Sequence, residues 1–167
     1  MTAKFNIDEI FEMAEQIERN GQSFYCQAEK IMKANSECQK LMSLLADMEV
    51  KHEKIFASMR KDILKSNKVE SILNPEIDPD GLASKYLHSI VENKIFDLTK
   101  QLIIENETLE SILKMAIERE KDSIIFYLGI RELISKDFGQ DKVDLIIKEE
   151  MSHIVYISNE LKQIAGE

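Results

Sequence analysis

Leu45-Ala46-Asp47-Met48-Glu49-Val50-Lys51-His52 and Ile146-Ile147-Lys148-Glu149-Glu150-Met151-Ser152-His153 are two versions of one phrase, an apolar helical stretch that ends in Glu-x-x-His. Each is preceded at nearly the same distance by a further glutamate: Glu18 stands 31 positions before Glu49, and Glu120 stands 30 before Glu150. Each leading glutamate is followed seven residues later by the tyrosine of a Phe-Tyr pair, Phe24-Tyr25 and Phe126-Tyr127. The chain carries the same half twice. Residues three apart on a helix are neighbours on one face, so Glu49 with His52, and Glu150 with His153, offer an oxygen and a nitrogen to one point in space. Glu18 and Glu120 add a carboxylate each. Four carboxylates and two imidazoles pointing between helices form the side-chain set that holds two metal ions inside a four-helix bundle.

Burying that set makes sense only with cations. Isolated carboxylates resist transfer to a core, but two divalent ions match the four negative charges. Without metal, some of the glutamates should hold protons or the helices should loosen. Mixed oxygen and nitrogen donors suit iron or manganese, although affinity alone would favour zinc or copper. A closed structural zinc site would instead take four ligands, typically with cysteine. Six side chains shared between two ions leave positions open for water, dioxygen or peroxide, the arrangement of a redox centre.

Outward from these segments, apolar residues recur every three or four positions and Gly (5) and Pro (2) are scarce, which predicts an all-α fold. Helix 1 is expected over about 7–35, with Ile10, Ala14, Ile17, Gly21, Phe24, Ala28 and Ile31 inward. Helix 2, about 37–65, turns Leu41, Leu45, Met48, Ile55, Phe56 and Met59 inward. Asn74-Pro75 and Asp78-Pro79-Asp80-Gly81 mark a break. The amphipathic stretch beginning Leu82, Tyr86, Leu87 and Ile90 makes the 66–106 connection a partly helical crossover. Helix 3 is expected over about 107–136, stopped by Phe138-Gly139, and helix 4 over 141–164, capped by Asp141. Short first and third junctions then give two antiparallel hairpins joined by one long crossover, in a single domain over 1–167.

Other residues receive ordinary readings. Glu15, Glu53, Glu118 and Glu149 are expected to face solvent, the three-residue spacing to His153 selecting Glu150 over Glu149. Tyr25 and Tyr127, two turns from Glu18 and Glu120 on the same face, can hydrogen-bond a ligand, relay an electron or fill the core. His88 is a surface or half-buried histidine of the crossover, the eight methionines are core filler, and Cys26 and Cys38 are isolated thiols. A net charge of −9 and a pI near 5.0 argue against a nucleic-acid partner. With no leader-like segment and no apolar run approaching the ~20 residues of a membrane helix, the expected location is the cytoplasm.

The segments 14–25, 45–52, 116–127 and 149–153 together resemble the rubrerythrin-like branch of the ferritin-like superfamily. The resemblance covers all four expected bundle helices and implies a ferritin-like four-helix bundle. Carried over position by position, the family's iron ligands fall on Glu18, Glu49, His52, Glu120, Glu150 and His153, the six chosen by spacing. Two departures qualify it. Rubrerythrin adds a rubredoxin-type iron site held by paired CxxC motifs, absent from this sequence, so the electron donor is expected to be a separate redox protein. It also has a further glutamate ligand one turn after the leading glutamate of its third helix. Here that position is Ser123, which implies a more symmetric site.

The resemblance implies two iron ions per chain, with manganese as an alternative and zinc as a substitute. The expected activity is reaction with peroxide or dioxygen in oxidative-stress defence. Ferrous-iron oxidation for storage is the alternative, and a structural bundle with a vestigial site is the third reading. Family habit and the amphipathic crossover point to a homodimer.

Overall fold

The computed structural model describes residues 7–66, 78–92 and 107–166. Five α-helices, and no strands, make up the regular structure among these residues: α1 (Ile7–Ile31), α2 (Ser36–Lys65), α3 (Leu82–Glu92), α4 (Leu109–Leu133) and α5 (Gln140–Ala165). The chain is an all-α bundle, as its periodicity predicts. No helix among the described residues is long and apolar enough to cross a membrane.

Local chemistry sets the helix ends. Asn35 breaks the first hairpin with an extended backbone, and its side chain accepts from Glu37 N and Cys38 N to cap α2. Thr108 caps α4 by accepting from Ser111 N. The predicted extension of helix 1 to residue 35 is instead a tight 3₁₀ turn, Met32–Ala34. That turn leaves Ile31 42% exposed, contrary to its expected inward position, and buries Met32 in its place. Asp141 is not the cap of the last helix. Gly139, at φ 95°, closes the 3₁₀ turn Lys136–Phe138 and starts α5. Asp141 lies in the first turn, where a negative charge suits the helix N-terminus.

Side-chain pairs fix the packing directions. Arg60 near the end of α2 pairs with Asp8 at the start of α1, and Arg19 meets Glu53 at 2.9 Å, so α1 and α2 are antiparallel. Cys38 meets Glu160 and His52 meets Glu149, so α2 and α5 are antiparallel as well. Tyr25 reaches Glu120 while Tyr127 reaches Glu18, which sets α1 against α4 in the same sense. These directions place the end of α2 and the start of α4 at opposite ends of the bundle. The helix α3 packs on α4. Gly129 permits this approach, because a Cβ there would stand 2.6 Å from Leu87 Cδ2. The buried stripe of α3 is Ala83, Leu87 and Ile90; Leu82, expected inward, is 71% exposed. The remainder of the expected crossover, 66–77 and 93–106, lies almost wholly outside the described residues.

The core falls into two apolar plugs. One contains Phe11, Phe56, Met59, Phe126, Tyr127 and Ile146; the other contains Phe24, Tyr25, Met42, Leu45, Leu113 and Ile157. Between them lies a belt of buried polar side chains.

Candidate metal centre

The belt consists of Glu18, Glu49, His52, Glu120, Glu150 and His153, all buried. Each of the four long helices contributes to it from mid-length, α1 and α4 by one glutamate, α2 and α5 by a Glu-x-x-His pair. Sequence spacing singled out these same six. Their donor atoms gather into two groups, Glu18, Glu49, His52 and Glu150 on one side and Glu49, Glu120, Glu150 and His153 on the other. Within each group, one ligand atom per residue lies within 4.8 Å of every other. Glu49 and Glu150 belong to both groups, so the arrangement is two adjoining sites with two shared carboxylates.

The details follow the internal repeat. His52 Nδ1 stands 2.9 Å from Glu150 Oε1 and 3.6 Å from Glu18 Oε2. Its counterpart, His153 Nδ1, stands 2.8 Å from Glu150 Oε2 and 3.5 Å from Glu120 Oε2. The two imidazoles lie nearly parallel, 17° apart, with centroids separated by 5.9 Å. Tyr25 and Tyr127 do reach the carboxylates, each across to the other hairpin. Tyr127 donates its hydroxyl to Glu18 Oε1 and Tyr25 donates to Glu120 Oε1. One oxygen of each leading glutamate is thereby held, and Oε2 is left toward the centre.

This pattern suits a pair of cations. Glu18 Oε2, both oxygens of Glu150 and Nδ1 of both histidines have no hydrogen-bond partner, although they are buried and close together. The 2.9 and 2.8 Å approaches do not make hydrogen bonds, so these donor atoms crowd together without satisfying one another. Buried polar atoms without partners are costly unless something else satisfies them. An oxygen-rich set with one imidazole per ion fits iron or manganese.

Protons can substitute for the ions in part. Burial pushes the carboxyls of Glu18, Glu49 and Glu120 well above the usual range, reinforced by the neighbouring carboxylates. Burial alone would raise Glu150 too, but the closeness of Glu120 and of the two flanking imidazoles holds it well below. Burial opposes charge on His52 and His153, yet Glu150 beside the first raises it to about 9. Glu120 and Glu150 beside the second raise it to about 10.

Three further residues shape the centre without having been singled out as doing so. Gly21, one turn after Glu18, faces Glu49 so closely that a Cβ would stand 2.7 Å from its Oε2. Met48, expected only as core, sets its Sδ 3.3 Å from His153 Nε2. Glu149, expected in solvent, is half-buried and places Oε2 2.7 Å from His52 Nε2. The signal available for the last two was the residue immediately before each Glu-x-x-His. Of the other flanking acids, Glu118 is exposed and pairs with Lys121, while Glu15 is largely covered beneath Arg19 and Arg60. Ser123, three residues after Glu120, donates to Arg119 O in its own helix. His88 is half-buried on α3. Comparison of the chain with known protein families, curated proteins and solved structures finds no match.

Proposed function

We propose that this chain is a di-iron carboxylate oxidoreductase of the rubrerythrin-like, ferritin-fold kind, reacting with peroxide or dioxygen and drawing electrons from a separate redox protein. The observation that carries the reading is the pair of adjoining buried sites with Glu49 and Glu150 common to both. A lone structural ion needs no such sharing, whereas two ions that each give one electron to the same reaction must be held side by side in a fixed relation. Two ferrous ions, when bound, supply the two electrons for reduction of peroxide or dioxygen.

The chain's own residues have definable tasks. Glu18, His52, Glu120 and His153 would each serve one ion, while Glu49 and Glu150 would serve both. Tyr25 and Tyr127 hold Glu120 and Glu18 in place through one oxygen each, leaving the other oxygen for metal. The aromatic and aliphatic plugs on either side keep bulk water from the carboxylates and strengthen every charge interaction in the belt. Glu150, ionised between two imidazoles, is the carboxylate most ready to accept a cation.

The test is single-turnover oxidation of the ferrous-loaded protein by peroxide and, separately, by dioxygen, followed by chemical re-reduction. Faster oxidation by peroxide, complete at two irons per chain and repeatable after reduction, is the expected result. Faster oxidation by dioxygen with continued uptake beyond two irons would contradict it and favour iron storage.

A further inference from the structure

The metal-facing side chains obey the internal repeat, but the groups behind the two histidines do not. Each imidazole turns Nδ1 to the centre and Nε2 away from it. Behind His52, Nε2 lies 2.7 Å from a carboxylate oxygen of Glu149. Behind His153, Nε2 lies 3.3 Å from the thioether sulfur of Met48. Glu149 immediately precedes Glu150, and Met48 immediately precedes Glu49. One repeat position therefore supplies the back partner of the opposite half's histidine, a charged acceptor in one case and a neutral sulfur in the other.

The chemical consequences differ. An imidazole that ligates through Nδ1 must carry its hydrogen on Nε2 and donate it. A carboxylate accepts that hydrogen in a charge-assisted bond, fixes the tautomer and ring orientation, and increases the donor strength of Nδ1. A thioether is a weak acceptor and does little of this. Partners of this kind change metal affinity about 10- to 100-fold. Glu149 is 38% exposed at its side chain, so solvent screens its charge and the lower part of that range applies.

We propose that the two ion positions are unequal. The position formed by Glu18, Glu49, His52 and Glu150 fills first, with Glu149 as its positioning residue. The position formed with Glu120 and His153 fills second and exchanges more readily. The inference rests on the dinuclear reading given above and concerns the order and spread of binding, which that reading leaves open.

Titration of the metal-free full chain with Co²⁺ under anaerobic conditions, followed by absorbance and by competition with a chelator, measures both steps. The expected result is two steps about tenfold or more apart. Glu149→Leu should weaken the first step about tenfold and bring the two together, while Glu149→Gln, which keeps an acceptor oxygen without the charge, falls between. Met48→Glu should tighten the second step. With ¹⁵N-labelled histidine, one equivalent of Zn²⁺ should move the His52 Nδ1 resonance before that of His153, a signature that a merely structural role for Glu149 would not produce. Should Glu149→Leu fail to fold, Met48→Glu and the histidine spectrum still decide. Two indistinguishable steps, or His153 responding first, would overturn the inference and leave the dinuclear site standing. Absence of Co²⁺ binding, or binding unaffected by Glu150→Gln, would overturn both together.

Discussion

Glu150 spans the centre: one oxygen faces His52 at 2.9 Å and the other faces His153 at 2.8 Å. Its importance was legible because the Glu-x-x-His spacing separates it from Glu149 on the same helix. The role of Gly21 was not, since a one-dimensional period places it on the inner face without saying what lies opposite. Substitution there sets two effects against each other. Alanine is about 1 kcal/mol better than glycine in a helix interior, but its Cβ would stand 2.7 and 2.8 Å from the Glu49 carboxylate oxygen and carbon. Gly21→Ala should leave metal-free stability unchanged or higher while lowering metal affinity at least about tenfold, a displaced ligand costing as much as a lost supporting bond. Thermal melts and a metal titration of the same sample check both halves. Tyr127→Phe and Tyr25→Phe should act differently, because each strands a buried carboxyl oxygen of Glu18 or Glu120. Each should cost about 1–3 kcal/mol in the metal-free protein, readable by urea unfolding.

Among the elements, α1, α2, α4 and α5 were readable because each carries a long 3.6-residue pattern and a chemical stop. The ends were less so. Gly139, not Asp141, starts α5, since a left-handed glycine both closes one turn and opens the next. In the α3 stripe Leu87 and Ile90 were legible but the start was not, because the periodicity of a short helix tolerates either Leu82 or Ala83 there. What seats α3 on α4 is the missing side chain of Gly129, which no hydrophobic pattern reveals. Gly129→Ala should force Leu87 away from a 2.6 Å contact and destabilise the fold by about 1–3 kcal/mol. Metal stoichiometry should not change, because Gly129 lies more than two turns beyond Glu120 and faces α3, not the belt. Denaturant unfolding and a metal count on the same variant test this; loss of metal with intact stability would contradict it.

At the scale of the whole molecule, a belt that holds metal should couple folding, protons and ions. His52 and His153 are raised from 6.5 to about 9 and about 10, so their contribution to stability is full below pH 6.5 and is lost as pH rises through those values. The raised carboxyls of Glu18, Glu49 and Glu120 act in the same direction, since each folded-state pKa exceeds its unfolded value. Glu150 acts oppositely, but its depressed pKa confines the loss to strong acid. The metal-free protein should therefore melt several degrees lower at pH 9 than at pH 6, each kcal/mol being worth about 2–4 °C for a chain of this size. Metal should raise the melting temperature more at pH 9, because ligation displaces protons. At pH 7 filling both positions should release about two protons from the histidines alone, measurable from the buffer dependence of the binding heat. All of these expectations depend on six side chains holding two ions. The most direct measurement is the iron retained per chain after anaerobic ferrous loading and desalting, in the parent chain and in Glu49→Gln and Glu150→Gln. Two irons in the parent and one or none in either variant is the predicted result; one or none in the parent, or two in both variants, would contradict the account.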